Sequence, residues 1–426
     1  MSAGVEPLRH LGRLRLVSVG LNAVIGGGIF VLPAEVTRLA GPASLAAYLI
    51  AGCVVVGLGL TLGRLAAQFD SSGGPYAYVQ SAFGSFAGFQ VGWLFCLARL
   101  TALANLLNGA ALYLAALVPA LAGSWARSAL IVGSAAVIVL INAAGIRQTS
   151  GAANTFAILK VAPLLVVGAA GLFLMQPERL APEAVAPDAF LRSVLLLLFA
   201  FTGFETLTVP AEEALRPRSD LPIALLLTIG SVCGIYVLVH AAALGGLPSL
   251  ASEKAPLASL SGALFGESGR IGMTLVAAVS MVGCSLLSLF GATRLLYAMS
   301  AAGEIPSFLG ALDPKRRTPV VASLLTGGLG AVLAILGGYA FLAAVSSGLR
   351  LLMYVACCLA CLGRAASDPG RGRAVPMLAL GSILILLTAL ERREVVFGMI
   401  GIGAGLGLYL AARHGRRGSM TRREAV

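Results

Sequence analysis

The sequence predicts an all-α polytopic membrane protein of about twelve transmembrane helices, built as two inverted five-helix repeats plus two peripheral helices. Three observations support this. Composition is the first: 58% of the 426 residues are hydrophobic, 11% are charged, and the mean hydropathy is +0.93. A water-soluble core of this size needs no such excess, whereas apolar runs of about 20 residues are what a bilayer demands. The second and third are two interruptions of otherwise apolar runs, Gly26-Gly27-Gly28 in the first and Thr202-Gly203 in the sixth.

In order, the runs fall at roughly 15–38, 43–65, 87–118, 126–145, 151–175, 190–214, 222–246, 271–301, 318–336, 339–363, 374–390 and 395–412. The expected organisation is a tail over 1–14, one repeat over 15–175, a second over 190–363, the peripheral pair over 374–412 and a tail over 413–426. The first run reads as a helix rather than a cleaved leader, because many spans follow it and no small-residue cleavage site stands out. Each glycine in it costs about 1 kcal/mol against alanine in a helix. In lipid a freed N–H or C=O also lacks water to bond. A broken helix survives there where its open backbone lines a cavity. The alternative is a packing seam of small residues, which three consecutive glycines fit less well.

Span two ends near Arg64, and Gly73-Gly74-Pro75 supplies turn chemistry, with Tyr76 and Tyr78 expected at the membrane interface. Span three carries Arg99, Asn105 and Asn108, and span five carries Lys160, too deep to snorkel easily. Span six breaks at Thr202-Gly203, continues through Glu205, and leaves through Pro210, Glu212 and Glu213. Pro222 suits the start of span seven, where a missing N–H costs nothing. Span eight carries Ser285, Ser288, Arg294 and Tyr297, and a basic loop at 313–319 follows it. Span ten holds Arg350 and three cysteines, while spans eleven and twelve run without charged interruption.

The two breaks open equivalent blocks of five spans. Gly27 and Gly203 are 176 residues apart, about the length of five spans with loops. An odd number of spans between matching breaks turns the second block upside down. That is the inverted repeat of many secondary transporters, whose site lies at the midplane where the breaks face each other.

The net charge of +12 suggests nucleic acid until the charges are placed. With a cytoplasmic N-terminus, 18 of the 30 basic residues collect on the cytoplasmic side and 8 on the other, which also holds Glu178, Glu183, Asp188, Glu253, Glu267, Glu391 and Glu394. This is the positive-inside bias. It puts both termini in the cytoplasm and removes the need for a nucleic-acid partner. Composition and short tails point to the plasma membrane, specifically a bacterial inner membrane, with lipid as the surrounding partner and no readable protein-partner motif. The seven cysteines lie in apolar spans, and the close set Cys357, Cys358 and Cys361 is joined by no His, Asp or Glu, so no metal site or other cofactor is expected. His10, His240 and His414 are too scattered for a nucleophile–base pair, so no catalytic residue is expected.

These pieces together resemble the amino acid–polyamine–organocation (APC) superfamily of permeases over nearly the whole chain. The resemblance rests on Ile25-Gly-Gly-Gly-Ile-Phe30, Gly73-Gly-Pro-Tyr76, Lys160, Phe201-Thr-Gly-Phe-Glu205 running into Ala211-Glu-Glu213 and Pro217 to Pro222, and Arg294 with Gly303 to Pro306. It implies the LeuT-like fold, with discontinuous helices one and six, and an amino acid substrate. It places the substrate carboxylate at Ile25, Gly26, Gly27 and Gly28. The ammonium group falls near Phe199, Ala200, Thr202 and Gly203, with Phe199 as an aromatic cap. Sodium-coupled relatives of this fold hold a cation between helices one and eight, where Lys160 is expected to put its ammonium instead. That makes protons the coupling ion, unless Lys160 is a permanently charged strut.

Glu205, directly after the second break, is expected to carry a proton or hold a gate, or else to be structural. Glu212 is expected in the inward gate, and Arg294 and Arg350 as gate partners or snorkelling residues. No carboxylate from spans three, eight or ten is available for a cationic side chain; Cys284, Ser285, Ser288, Ala102 and Ser346 are the small residues expected to face the site, which favours a neutral amino acid. The expected function is therefore secondary active amino acid transport by alternating access, proton-coupled and sodium-independent. The alternatives are an obligate amino acid or amine exchanger, a substrate sensor that no longer transports, and, least favoured, an intramembrane enzyme or a channel.

Overall fold

In the computed structural model the described residues are 12–69, 74–145, 150–207, 217–367 and 372–423. Among them the chain begins with α1 (Arg13–Val24), α2 (Gly28–Ala40), α3 (Ser44–Ala66), α4 (Gly74–Phe83), α5 (Ser85–Leu117), α6 (Ser124–Ala143) and α7 (Ser150–Gly171). Then come α8 (Pro187–Phe201), α9 (Pro217–Gly246), α10 (Pro256–Ala301), α11 (Val320–Leu336) and α12 (Tyr339–Ser367). The chain closes with α13 (Ala374–Leu387) and α14 (Arg392–Arg423). Each expected span coincides with a helix, span one being the pair α1 and α2. Among the described residues, nine helical stretches are long and apolar enough to cross a membrane, with α11 and α13 as shorter apolar helices. The chain is a polytopic all-α membrane protein.

The differences from expectation have local causes. The sixth span does not continue to 214 as one helix: α8 stops at Phe201, Thr202 turns to an extended conformation (ψ 149°), and Gly203 takes φ +113°. The next helix begins at Pro217 rather than at Pro222, because Pro217 also suits a first position. Asp220 in its first turn then complements the helix dipole. That carboxylate also accepts a 2.5 Å hydrogen bond from Arg13 Nε, which ties α9 to the start of α1. The eighth span starts early too, since α10 carries a leading segment before a bend at Gly266 (φ +68°). Tyr78 does not face an interface: it is buried with its ring 4.8 Å from that of Phe69. Nearby Tyr76, in the first turn of α4, donates to Glu304 at 2.9 Å, so α4 is latched to the end of α10.

Packing puts α5 in the middle of the bundle, alongside α10, α12 and α11, while α8 lies against α2 and α3 and α9 against α3, α7 and α1. Leu140, Phe173, Leu324, Leu378, Met399 and Ile400 are exposed, as a surface in contact with lipid tails requires. On α14, which packs on α12 and α5, Glu394 is buried and accepts both terminal nitrogens of Arg192 at 2.5 and 2.6 Å.

The two asparagines of span three are structural. Asn108 Nδ2 donates to the carbonyls of Ala334 (2.9 Å) and Gly337 (2.8 Å), the open carbonyl end of α11. Asn105 Nδ2 donates to Tyr339 O at 2.6 Å. Substituting Asn108→Leu leaves both α11 carbonyls dry, which costs about 1–3 kcal/mol. The expected outcome is a lower melting temperature of the detergent-purified protein; an unchanged one would show that these bonds add nothing.

Candidate functional site

The first break is built by the three glycines. Helix α1 ends at Val24, Ile25 is extended (φ −72°, ψ 90°), and α2 starts again at Gly28. Among the described residues, the N–H groups of Gly26, Gly27 and Gly28 make no backbone hydrogen bond. They point from the positive end of α2, an arrangement that attracts an anion. The freed carbonyls, by contrast, are occupied. Lys160 Nζ on α7 donates to Asn22 O and Ile25 O, both at 3.2 Å, and lies 3.4 Å from Cys284 Sγ on α10. Ser280, one turn before Cys284, donates to Ile25 O at 3.2 Å. Lys160 is buried (3% exposed), so its ammonium takes its bonds from the broken helix and not from water.

The second break meets the first edge on. Thr202 caps α8 by donating both its N–H and its hydroxyl to Phe199 O, at 3.2 and 2.7 Å. Tyr236 on α9 donates its hydroxyl to Ala200 O at 3.0 Å and lies 3.3 Å from Val24 O, so one phenol spans both breaks. The glycines allow the approach. A Cβ on Gly28 would sit 2.4 Å from Ala200 Cα, and one on Gly203 would sit 2.4 Å from Ala23 O. The packing seam and the broken helix, weighed as alternatives from sequence, therefore coexist.

Charge concentrates just past the second break. Glu205 accepts from Gly203 N–H at 2.9 Å and from Arg350 Nε at 3.2 Å; both side chains are almost wholly buried. Arg350 also bonds Ser346 Oγ and Ala98 O, which fixes it between α12 and α5. Arg99 is buried as well, with its guanidinium 4.4 Å from the centre of the Phe95 ring.

One cavity collects most of these groups: Gly26, Gly27 and Gly28, Phe199, Ala200, Thr202, Gly203 and Glu205 line it, with Arg99, Arg350, Cys284 and Ser288. Ile25 is buried beside it and turns its carbonyl to Lys160. Phe199 stands edge to face with Tyr339 at 6.3 Å. Of the small residues expected to face the site, Ala102, Cys284 and Ser288 line it, while Ser285 bonds back to Met281 O and Ser346 to Ala98 O. Arg294 is not brought here: it is exposed, its guanidinium 4.1 Å from the Phe290 ring centre, and it lines a separate cleft with Arg316 and Arg317. Glu212 and Glu213 lie outside the described residues. Sequence reasoning missed Tyr236, Ser280 and Tyr339. The available signals were a tyrosine in mid-span, far from any interface, and the one-turn spacing of Ser280 and Cys284.

Chemically, the site offers open N–H donors and a guanidinium to negative charge, and carbonyls to positive charge. Residues 11–403 match the amino acid permease family. An uncharacterized transporter of Mycobacterium tuberculosis is 30% identical over 95% of this chain and 91% of its own length. A branched-chain amino acid permease of Bacillus subtilis is 27% identical over 76% of this chain and 74% of its own. A chloroplastic cationic amino acid transporter of Arabidopsis thaliana is 30% identical over 74% of this chain and 59% of its own. With a match across most of its length and a broken-helix cavity at its centre, the chain belongs to the amino acid permease family of the APC superfamily.

Proposed function

We propose that the protein is a secondary active amino acid transporter of the plasma membrane, working by alternating access and driven by protons rather than sodium, with both termini cytoplasmic. In this reading the α-carboxylate sits on the N–H groups of Gly26, Gly27 and Gly28 at the start of α2. The ammonium sits beside the carbonyls of Phe199, Ala200 and Thr202, and Phe199 covers the ligand. Ala200 O, which accepts from Tyr236, keeps a second lone pair for it, whereas Phe199 O already accepts both the N–H and the hydroxyl of Thr202 and contributes through its dipole.

The observation that supports proton coupling is the position of Lys160. Its ammonium bridges α1 at the break to α10 through Asn22 O, Ile25 O and Cys284. A resident cation there leaves no reason for a sodium ion. Separation of α7 from α1 would break both carbonyl bonds, and in this reading that movement is the proton-coupled step. Glu205, bonded to the Gly203 N–H and to Arg350, links the second break to α12 and acts as a gate element. Glu212 and Arg294 belong to the inward gate in the same scheme.

The test is uptake of labelled amino acids into empty proteoliposomes in sodium-free buffer, with and without an inward proton gradient. Accumulation driven by the gradient is expected. Uptake only after preloading with amino acid would replace this reading with an exchanger whose Lys160 is a fixed strut. No uptake of any amino acid by folded protein would overturn transport itself.

A further inference from the structure

Family membership does not choose the side chain, because the relatives' names range from branched-chain to cationic amino acids. The lining of the cavity does constrain it. The charged side chains lining it are Arg99, Arg350 and Glu205. Arg350 is engaged, with Nε on Glu205 and Nη1 toward Ser346 and Ala98. Among the described residues Arg99 has no such partner. It is 8% exposed, and among the described residues its Nε has no hydrogen bond. Its plane is held by the Phe95 ring on one side. On another side stands Gly291 of α10, where a Cβ would come within 2.3 Å of Nη1. The site is thus shaped around a guanidinium that, among the described residues, no carboxylate bonds directly. The charged groups within its electrostatic reach are Glu205, already engaged by Arg350, and Arg350 itself.

A zwitterionic amino acid brings no net charge, so the second guanidinium would remain uncompensated inside the membrane, an expensive state. A further carboxylate on the ligand removes that cost, and a planar guanidinium receives it through two parallel hydrogen bonds. Arg99 and the Gly26–Gly28 donors line the same cavity, so one small molecule can reach both.

We propose that this transporter takes amino acids with an acidic side chain, of the aspartate and glutamate class, with Arg99 binding the side-chain carboxylate while the Gly26–Gly28 N–H groups bind the α-carboxylate. This rests on the amino acid transport reading above and replaces the neutral preference that the sequence suggested. The sequence ground for a neutral substrate was the lack of carboxylates in spans three, eight and ten, which excludes a cationic side chain but says nothing against an anionic one.

The test compares uptake of labelled L-glutamate, L-aspartate, L-alanine and L-leucine into proteoliposomes of the full chain under an inward proton gradient. An acidic substrate with a KM at least about tenfold below those of the neutral ones is expected, since a site with a buried polar group rejects ligands that leave it unpaired. Arg99→Gln should lower that selectivity ratio about tenfold or more, and Arg99→Lys should restore part of it. Should Arg99→Gln fail to fold, the wild-type protein decides: L-glutamate or L-aspartate should raise its melting temperature in detergent more than L-leucine does. Neutral amino acids transported while a hundredfold excess of acidic ones neither competes nor stabilises would overturn the proposal and leave transport standing. Neutral uptake that requires chloride would also overturn it, assigning Arg99 to that ion. Folded protein that moves no amino acid would overturn the transport reading as well.

Discussion

Replacing Lys160 with alanine is expected to lower gradient-driven uptake by about 100-fold or more, equivalent to about 2.7 kcal/mol at the rate-limiting barrier. The Nζ makes two 3.2 Å bonds to backbone carbonyls that the helix break has orphaned. Ile25 O keeps the hydroxyl of Ser280 after the substitution, but among the described residues Asn22 O is left with the distant thiol of Cys284, 4.0 Å away. A carbonyl stranded in the membrane interior costs about 1–3 kcal/mol, and relaxation of α1 to recover it disturbs the Gly26–Gly28 donors a few residues on. The sharper readout is Lys160→Arg. Arginine keeps a positive charge but does not release its proton in proteins. If the proton-linked step resides on this side chain, Lys160→Arg loses accumulation driven by the gradient. If the side chain is only a strut, Lys160→Arg accumulates like the wild type, and the coupling proposal is wrong. Lys160→Gln separates the two contributions further, since its amide donates to the carbonyls but carries no charge.

The helices and their interruptions were legible in the sequence because both follow from solvation. Apolar runs of span length announce themselves, and glycines or a lone carboxylate inside such a run stand out because lipid tolerates neither without compensation. Lys160, Glu205 and the two glycine breaks were visible for that reason. What was not visible is pairing between residues far apart in the chain. Glu205 meets Arg350 across 145 residues, and Tyr236 reaches Val24 across 212. No local pattern encodes such contacts; they depend on how helices far apart in the chain close on each other. Arg294 shows that isolation in an apolar run does not say which face a charge takes. It is as isolated in sequence as Arg350, but the helical phase of α10 turns it away from the cavity while Ser280, Cys284 and Ser288, spaced by four, face inward. Arg99 could be seen as a buried charge, but only the cavity lining shows that it stands opposite the glycine break.

Gly203→Ala is expected to prevent correct assembly, with a loss of more than about 3 kcal/mol. Two penalties add at this position. The backbone has φ +113°, a conformation that residues with a Cβ rarely adopt, and forcing an L-residue there costs about 1–3 kcal/mol. The new methyl carbon would also lie 2.4 Å from Ala23 O and 2.8 Å from Ala23 C. These are backbone atoms of α1, so no rotamer change relieves the overlap, and overpacking of this kind costs typically a further 1–3 kcal/mol. The chain can respond only by separating the two broken helices, which pulls Ala200 from Gly28 at the same crossing. Gly28→Ala, with its Cβ 2.4 Å from Ala200 Cα, should fail in the same way. Gly283→Ala and Gly234→Ala are the matched controls. Both lie within helices with nothing near the added carbon, so each should be neutral or stabilise by up to about 1 kcal/mol. Folded yield and melting temperature of the four variants in detergent provide the comparison. If Gly203→Ala were as stable as Gly234→Ala and kept the wild-type KM for its substrate, the breaks could not cross at the contact that brings the Gly26–Gly28 donors and the Thr202–Glu205 segment to one cavity, and both the substrate pose and the role of Arg99 would have to be rebuilt.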